Sequence, residues 1–456
     1  MKNELLKTLR LALPIIINQF GQFALQLTDS IMVGRVGVAS LGAFAFAHSV
    51  LMILLVFGSG LLFSVGVLTA RAFGANHPHR GAEILRHGIL LAAVTGTLFA
   101  LLIQVGVPWI SFFDQPREVT EMSVDYFVIV GWSMVPALIY IACRQFCEGL
   151  SQSLMPMYIT LGAISDNAFF NWILIFGHWG APALGLKGAA IATLAVRIAI
   201  IPIILLMIMK HPTFARFRPS HWFAKFQKRV TKDLLKIGIP AGLQTIFEAG
   251  AFSFAAIMMG WLGTTPLAAH QIALNYAITT FMFAMGISFA TSIRVGQAAG
   301  RNDLAAVRQI GQGSLLLVLF VMGICGVIFI LFRNQLPLIY LHDPSIVQLT
   351  ALLLIFAGVF QIADGVQAVA AGALRGLADV KIPTIITFVA YWCISIPSGY
   401  LFGFVFGWDG AGIWLGLVLG LFTNAILLTI RFFIFARPAQ PATELILPVP
   451  QGHDRN

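Results

Sequence analysis

Twelve apolar segments, each about long enough to cross a lipid bilayer as an α-helix, occupy most of this 456-residue chain. Hydrophobic residues make up 59% of the sequence and charged residues only 10%, whereas a soluble domain carries about 25% charge. The sequence therefore predicts an all-α membrane protein. The predicted spans are residues 11–35, 45–70, 88–110, 124–148, 158–178, 186–208, 234–260, 268–293, 311–332, 347–371, 382–405 and 411–435.

The second half of the chain repeats the first. With an offset of 226 residues, residues 32–34 (MVG) align with 258–260 (MMG) and Gly60 aligns with Gly286, without gaps over about 70 residues. Each half holds six spans, an even number, so both halves enter the membrane from the same side as parallel repeats. We therefore expect two pseudo-symmetric six-helix lobes with a cleft between them.

These repeats divide the chain into four regions, and the distribution of basic residues predicts how the chain is oriented in the membrane. We place 23 of the 28 Lys and Arg residues at one face of the bundle, which by the positive-inside rule is the cytoplasmic face. Both termini are then cytoplasmic, and the net charge of +10 reflects orientation, not nucleic-acid binding. The regions are an N-lobe (1–208, spans 1–6), a cytoplasmic inter-lobe loop (209–233), a C-lobe (234–436, spans 7–12) and a Pro-rich tail expected to be disordered (437–456).

Four carboxylates lie well inside predicted spans: Asp29, Asp166, Glu248 and Asp364. An isolated acid in hydrocarbon costs several kcal/mol, so such residues usually serve a function and face a cavity or a partner. The position aligned with Asp29 is Ala255, and the position aligned with Glu248 is Gln22, so these acids are not part of the repeated scaffold. We predict that Glu248 and Asp364 bind a proton, a metal cation and a cationic substrate in alternation.

Asp29 is a third candidate for cation coupling, and other polar residues accompany it in the first half. Asn167 and Asn171 are four residues apart and share a helix face, where they either pack between helices or line a cavity. Asp166 is either a functional acid or one that lies at a wet helix end or pairs with Arg197. We expect Arg197 to be a structural partner.

The sequence does not favour an enzyme or an ATP-driven pump. No G-x-x-x-x-G-K-[ST] nucleotide loop occurs, so we expect no use of ATP. The histidines of the first loop have no metal-ligand spacing, and His270 is more typical of a hydrogen-bonded helix end than of a ligand. A membrane-bound enzyme would need a reactive cluster near the water interface. We therefore predict a transporter without a resident cofactor.

Several short motifs occur in order along residues 5–435. They are TDSIMVG (28–34), CEGL (147–150), N-x-x-x-N (167–171), FE (247–248), HQIALN (270–275), RVG (294–296), QIAD (361–364), LRG (374–376) and AYWCISIPSGY (390–400). In these motifs the chain resembles the multidrug and toxic compound extrusion (MATE) family, in its NorM-type branch of cation-coupled multidrug antiporters.

The resemblance implies twelve helices in two six-helix lobes around a V-shaped cleft. It also implies that Glu248 and Asp364 couple cation movement in the C-lobe and would be the Na⁺ ligands of a sodium-coupled protein. Asp29 with Asn167 and Asn171 would form a polar site in the N-lobe.

Two positions depart from the family pattern. Asp166 stands where this branch usually has an apolar residue, and Phe360 stands where relatives often have Tyr. An extra acid in the N-lobe and one fewer oxygen in the C-lobe favour protons slightly, although the choice between H⁺ and Na⁺ stays open. We expect Asp29, Asp166, Asn167, Asn171, Phe360 and Gln271 to line the substrate cavity.

The predicted function is a secondary active multidrug efflux antiporter that exports amphipathic organic cations, such as drugs and dyes, in exchange for inward H⁺ or Na⁺. We expect a monomeric, multi-pass protein of the bacterial inner membrane. The alternative from the same fold is a flippase for lipid-linked oligosaccharides. That function calls for a cationic cavity, and within the predicted spans only Arg197 fits it.

Overall fold

The computed structural model describes residues 2–219, 221–222 and 225–436, and the predicted disordered tail 437–456 lies outside them. Within these residues the chain forms twelve long helices. They are α1 (Lys2–Gly34), α2 (Val38–Gly74), α3 (Pro78–Gly106), α4 (Arg117–Gly149), α5 (Leu154–Phe176), α6 (Gly185–Lys210), α7 (Lys228–Trp261), α8 (Thr264–Gly300), α9 (Leu304–Leu331), α10 (Pro344–Gly376), α11 (Lys381–Val405) and α12 (Asp409–Phe435).

Eleven of these helices, α2 to α12, are long and apolar enough to cross a membrane. The exception is α1, because its middle carries polar residues such as Gln22, Gln26 and Asp29. Most helices are longer than the predicted spans: α2 has 37 residues, against a prediction of 45–70. Hydropathy identifies only the apolar part of a helix, whereas the hydrogen-bonded backbone continues into the polar layer on either side.

Helix packing repeats between the halves. In the first half α4 packs against α2, α3 and α6, and in the second half α10 packs in the same way against α8, α9 and α12. Contacts between the halves also come in symmetric pairs, since α2 packs on α7 and α1 packs on α8. The fold is therefore two six-helix lobes that meet along α1, α2, α7 and α8.

Duplicated glycines allow the lobes to approach closely. A Cβ atom on Gly60 would lie 2.7 Å from the Cα atom of Gly242 in the other lobe. The equivalent contact places Gly286 against Ile16, whose backbone nitrogen would lie 3.1 Å from such a Cβ atom. Because 16 and 242 also differ by 226, the two contacts are one contact repeated by the internal symmetry.

Polar contacts between the lobes lie at the end of the bundle where the chain begins. Glu4 of α1 forms an ion pair with Arg294 of α8, and Arg80 pairs with Asp233 at 2.9 Å. The Gln297 amide donates to the backbone carbonyl of Gly149 at 3.0 Å. Near this end, residues 60–72 of α2 are buried, whereas at the opposite end of α2 many residues are exposed. The cleft therefore opens at the end of the bundle opposite the N-terminus.

Helix α11 is irregular and is tied to α7. It contains two π-helical segments, Val389–Ser395 and Leu401–Val405. Pro397 lies between them and has no N–H group to bond the preceding turn, which explains a wider turn there. The Thr384 hydroxyl donates to the carbonyl of Pro240 at 2.8 Å, and the Trp392 indole donates to the carbonyl of Phe247 at 3.0 Å. These bonds join α11 to α7 on either side of Gln244.

Candidate functional site

The second half contains a cavity of about 450 Å³ that lies between α2, α7, α8 and α10. Its walls are mainly apolar, with aromatic and Met side chains among them. Helical spacing explains the polar stripe on α10, since Asp364, Gln367 and Arg375 recur at intervals of three and eight residues and therefore share a face. On α7, Gln244 and Glu248 are four residues apart and face the same cavity.

Glu248 and Asp364 meet in this cavity through one amide. The Gln367 amide nitrogen donates to Glu248 Oε1 at 2.7 Å and to Asp364 Oδ1 at 3.2 Å. Asp364 is only 5% exposed, and Glu248 is partly buried. Two carboxylates around one donor, inside apolar walls, form a site that attracts a positive charge.

A chain of hydrogen bonds holds the Gln367 amide in this orientation. The Asn424 amide nitrogen donates to Gln367 Oε1 at 2.7 Å, which leaves the Gln367 nitrogen directed at the carboxylates. Thr387 donates to Asn424 Oδ1 at 3.4 Å and accepts a bond from the Gln244 amide at 3.1 Å. The chain links α7, α11, α12 and α10, and each donor points towards the two acids. Such an arrangement stabilises negative charge at Glu248 and Asp364.

Tyr391 brings a hydroxyl to the same cluster. It is fully buried beside Glu248 and Asn424, and among the described residues its hydroxyl has no hydrogen-bond partner. Phe360 lines the cavity and stacks on Trp414 with ring centroids 5.4 Å apart. Its phenyl ring carries no oxygen that could bind a cation. The Trp414 indole in turn donates to His270 Nδ1 at 3.1 Å. His270 is therefore a buried hydrogen-bonded residue behind Phe360.

Arg375 forms the inner limit of the cavity. Its guanidinium donates to the Ser288 hydroxyl at 3.1 Å and lies over the rings of Phe63 and Phe289, with its carbon 5.1 and 5.9 Å from their centroids. It also interacts electrostatically with Glu248. A fixed positive charge therefore stands at the floor of a cavity whose middle is negative.

The first half contains a second polar cluster. The Asn171 amide donates to Asp29 Oδ1 at 2.6 Å and to Asn167 Oδ1 at 3.1 Å. All three side chains are at most 5% exposed. The structure thus brings together three residues that the sequence singled out, with α1 and α5 supplying them.

Arg197 lies close to this cluster and supplies a positive charge. Its guanidinium donates to the Ser133 hydroxyl at 2.7 Å, and its charge acts on Asp29. Arg197 does not form an ion pair with Asp166 in the described part of the chain. Asp29 is therefore partly compensated within its own lobe.

The remaining predicted residues lie at the edges of these sites. Gln271 lines the cavity near its opening, where its amide donates to Asn275 at 3.2 Å. Asp166 is exposed on α5, whereas its neighbour Asn167 is buried. Within the described residues Asp166 forms no hydrogen bond or ion pair with Asp29 or with the carboxylates of the second half.

Sequence reasoning missed six residues of the second-half site. They are Gln244, Gln367, Arg375, Thr387, Tyr391 and Asn424. A signal existed for two of them, because Gln367 follows Asp364 by one helical turn and Asn424 is an amide in the apolar span 411–435. Arg375 belongs to the LRG motif (374–376), but it follows the predicted span 347–371, where a basic residue is typical of a connecting segment.

Comparison with known proteins gives consistent matches over nearly the whole chain. The model of the MatE family matches residues 14–173 and again residues 240–401, and these matches begin 226 residues apart. The chain is 34% identical over 441 residues to "Probable multidrug resistance protein NorM" of Bradyrhizobium diazoefficiens, covering 96% of this chain and 95% of that protein. It is 32% identical to "Multidrug resistance protein NorM" of Aliivibrio fischeri, covering 96% of each.

Solved structures match the fold at lower identity. The outward-facing conformation of a multidrug resistance MATE family transporter has a TM-score of 0.87 at 18% identity, covering 95% of this chain and 96% of that one. The eukaryotic MATE transporter AtDTX14 has a TM-score of 0.85 at 20% identity with the same coverage. These likenesses confirm the predicted two-lobe helical fold.

Proposed function

Because this chain belongs to the MatE family, we propose that it is a secondary active antiporter that exports amphipathic organic cations in exchange for inward H⁺ or Na⁺. It is a transporter and not an enzyme. The observation that carries the proposal is the pairing of Glu248 and Asp364 around Gln367 in one apolar-walled cavity. Its relatives are named multidrug resistance proteins, which supports drug-like cations as the cargo.

The cavity suits a planar, hydrophobic cation. Its carboxylates supply the charge, and aromatic and Met side chains such as Phe252, Phe281 and Met285 supply apolar and cation–π contacts. Below the carboxylates, Arg375 repels a second positive charge. A cargo cation therefore rests at the level of Glu248 and Asp364 and goes no deeper while the inner end of the cleft is closed.

The coupling ion competes for the same carboxylates. In the conformation with the cleft open at the far end, an incoming H⁺ or Na⁺ binds Glu248 and Asp364 and displaces the drug. For Na⁺, these acids and the Tyr391 hydroxyl supply oxygen ligands, whereas Phe360 supplies none. In the opposite conformation the ion leaves and the next drug molecule is captured. Each charge moved provides about 2.3 kcal/mol per 100 mV.

The first-half cluster has a different part in this proposal. Asp29 is held by Asn171 and partly compensated by Arg197, so its pull on a free cation is weaker than that of the two acids in the second half. We assign Asp29, Asn167 and Asn171 to a polar lining that contacts cargo or coupling ion during the rearrangement of the N-lobe. The C-lobe cavity is the main cation site.

Orientation and location follow from the charge pattern. The end of the bundle that carries most of the Lys and Arg residues is proposed to be cytoplasmic, with both termini there. The described conformation is then outward-facing, with its inner end closed by Glu4–Arg294 and Arg80–Asp233. We propose a monomer in the bacterial inner membrane with N-lobe 1–208, connection 209–233 and C-lobe 234–436.

Transport in proteoliposomes tests the proposal. Ethidium movement is measured under a pH gradient and, separately, under a Na⁺ gradient, for the unmodified protein, Glu248→Gln and Asp364→Asn. We expect one gradient to drive efflux, and each substitution to lower the driven rate at least tenfold, about 1.4 kcal/mol. Glu121→Gln is the matched control, because Glu121 is an exposed acid paired with Arg117 outside the cavity.

Two results would contradict the proposal. Ethidium movement driven by neither gradient, with folded protein, would exclude a cation antiporter and favour lipid-linked cargo. Full driven efflux by Glu248→Gln would remove Glu248 from the coupling site.

A further inference from the structure

A basic groove lies at the closed end of the bundle, between the first turns of α7 and α11. It has a volume of about 560 Å³ and is lined by four lysines, Lys228, Lys232, Lys236 and Lys381, together with apolar side chains. Three of the lysines are spaced four residues apart on α7, so their ammonium groups follow one face of the helix over about 12 Å. The fourth lies at the start of α11.

These lysines lack neutralising partners within the described residues. No ammonium group of the four is within ion-pair distance of a carboxylate. The nearby acids are already engaged by arginines: Asp233 pairs with Arg80 at 2.9 Å, and Asp379 accepts two bonds from Arg431 at 2.6 and 3.1 Å. Within the part of the chain that the structure describes, the positive charge of the groove is therefore free to attract an anionic ligand.

The groove also continues into a lipid-facing surface. Leu235 and Ile239 line it one turn apart along α7, and Ile239 is 43% exposed. On α11 the next exposed apolar residues are Ile382 and Ile385. Four cations above two rows of exposed aliphatic side chains match a ligand with an anionic head and hydrocarbon tails.

We propose that this groove binds the headgroup of an anionic phospholipid, with its phosphate between the lysines of α7 and Lys381 and its acyl chains along Ile239 and Ile385. A bound headgroup would bridge α7 and α11. These are the helices that Thr384 and Trp392 join to Pro240 and Phe247 and that supply Glu248 and Tyr391 to the cavity. The lipid thereby stabilises the helix pair that shapes the cation site.

The test measures thermal unfolding of the full chain in detergent micelles with added dioleoyl phosphatidylglycerol or dioleoyl phosphatidylcholine. We expect the anionic lipid, and not the zwitterionic one, to raise the Tm by about 3 °C or more. The variant with Lys228, Lys232, Lys236 and Lys381 all changed to Gln is expected to lose this rise.

A matched variant removes the same charge elsewhere at the same end of the bundle. It carries Arg10→Gln, Lys210→Gln, Arg301→Gln and Arg308→Gln, and all four of these residues are exposed. It is expected to keep the rise. If the groove variant does not fold, Lys232→Gln with Lys381→Gln, one lysine from each helix, is expected to lose at least half of the rise.

Several outcomes would overturn the proposal. They are the absence of a rise with the anionic lipid, an equal loss in the groove and control variants, and retention of the full rise in the groove variant or in the double variant. sn-Glycerol 3-phosphate distinguishes a lipid from a free phosphate. A lysine-dependent rise with that soluble anion would assign the groove to a water-soluble ligand.

Discussion

Phe63 and Phe289, which the internal offset of 226 residues places at equivalent positions, meet edge to face with their ring centroids 5.0 Å apart. Both rings are at least nine-tenths buried. Because each residue contacts its own symmetry equivalent, the pseudo-two-fold axis of the molecule passes between them. Arg375 covers both rings, so the axis of the fold and the floor of the cavity coincide.

The two rings should stabilise the closed end of the cleft jointly. Phe63→Leu and Phe289→Leu each remove one ring, and the second loss should cost less once the first ring is gone. A double-mutant cycle by thermal unfolding in detergent is expected to give a coupling energy of about 0.5–1.5 kcal/mol. Additive effects within about 0.3 kcal/mol would show that the pair has no specific interaction.

Two buried glutamines on α10 should respond in opposite ways to the same substitution. Gln367→Leu leaves the Asn424 amide nitrogen without its acceptor and both carboxylates without the Gln367 donor, so we expect a loss of about 1–3 kcal/mol in stability and impaired ethidium transport. Gln361 is also fully buried, but neither of its polar atoms has a partner among the described residues. Gln361→Leu is therefore expected to be neutral or stabilising.

Thermal unfolding and ethidium transport are measured for both variants to test whether the hydrogen bonds of Gln367 cause the difference. Equal destabilisation by both substitutions would mean that the cost comes from side-chain shape and not from the hydrogen-bond chain.

Asp29 and Arg197 should depend on each other. No ion pair joins Asp29 and Arg197 among the described residues, but the charge of each acts on the other, so removing one leaves the other less well compensated, whereas removing both abolishes the mutual effect. We therefore expect Arg197→Met to lower the Tm and Asp29→Asn combined with Arg197→Met to restore most of it. If the double variant were less stable than Arg197→Met alone, the two charges would not compensate each other.

Much of the fold could be predicted from the sequence because a membrane restricts the alternatives. Apolar length specifies the helices, and the offset of 226 residues specifies which of them correspond. The repeat aligned Gly60 with Gly286, but the close contacts that both glycines make with the other lobe became visible only in the structure. The spans themselves came out short: α2 continues past the predicted end at residue 70 through Arg71 to Gly74, where the sequence is no longer uniformly apolar, and it begins at Val38 although residues 38–44 are mostly apolar.

The candidate site was less predictable, for a physical reason. Isolated acids in apolar segments are conspicuous, and the structure brings Glu248 together with Asp364, and Asp29 together with Asn171. The amides and hydroxyls that orient them, such as Asn424, are common in membrane helices, and their partners depend on how distant helices rotate against each other. The exposure of Asp166 depends on the same rotation of α5, which periodicity alone does not specify.

The glycine contacts between the lobes provide the last prediction. A methyl group at Gly60 would meet the backbone of Gly242 at 2.7 Å, and backbone cannot move aside without separating α2 from α7. We expect Gly60→Ala to lower stability by about 1–3 kcal/mol and to reduce ethidium transport, because the lobes can no longer close at this level. Gly286→Ala should cost a similar amount, since a Cβ atom there would clash with Cγ1 of Ile16, a β-branched side chain with few alternative rotamers, and would lie 3.1 Å from its backbone nitrogen.

Gly162→Ala is the control. Gly162 also lies inside a helix, but a Cβ atom there would have no neighbour within 4 Å, so the substitution should gain up to about 1 kcal/mol from helix propensity alone. Thermal unfolding and ethidium transport are compared for the three variants. If Gly60→Ala proved as stable and as active as Gly162→Ala, the close approach of α2 and α7 would not be needed for the closed state. The duplicated glycines would then reflect only the ancestry of the two halves.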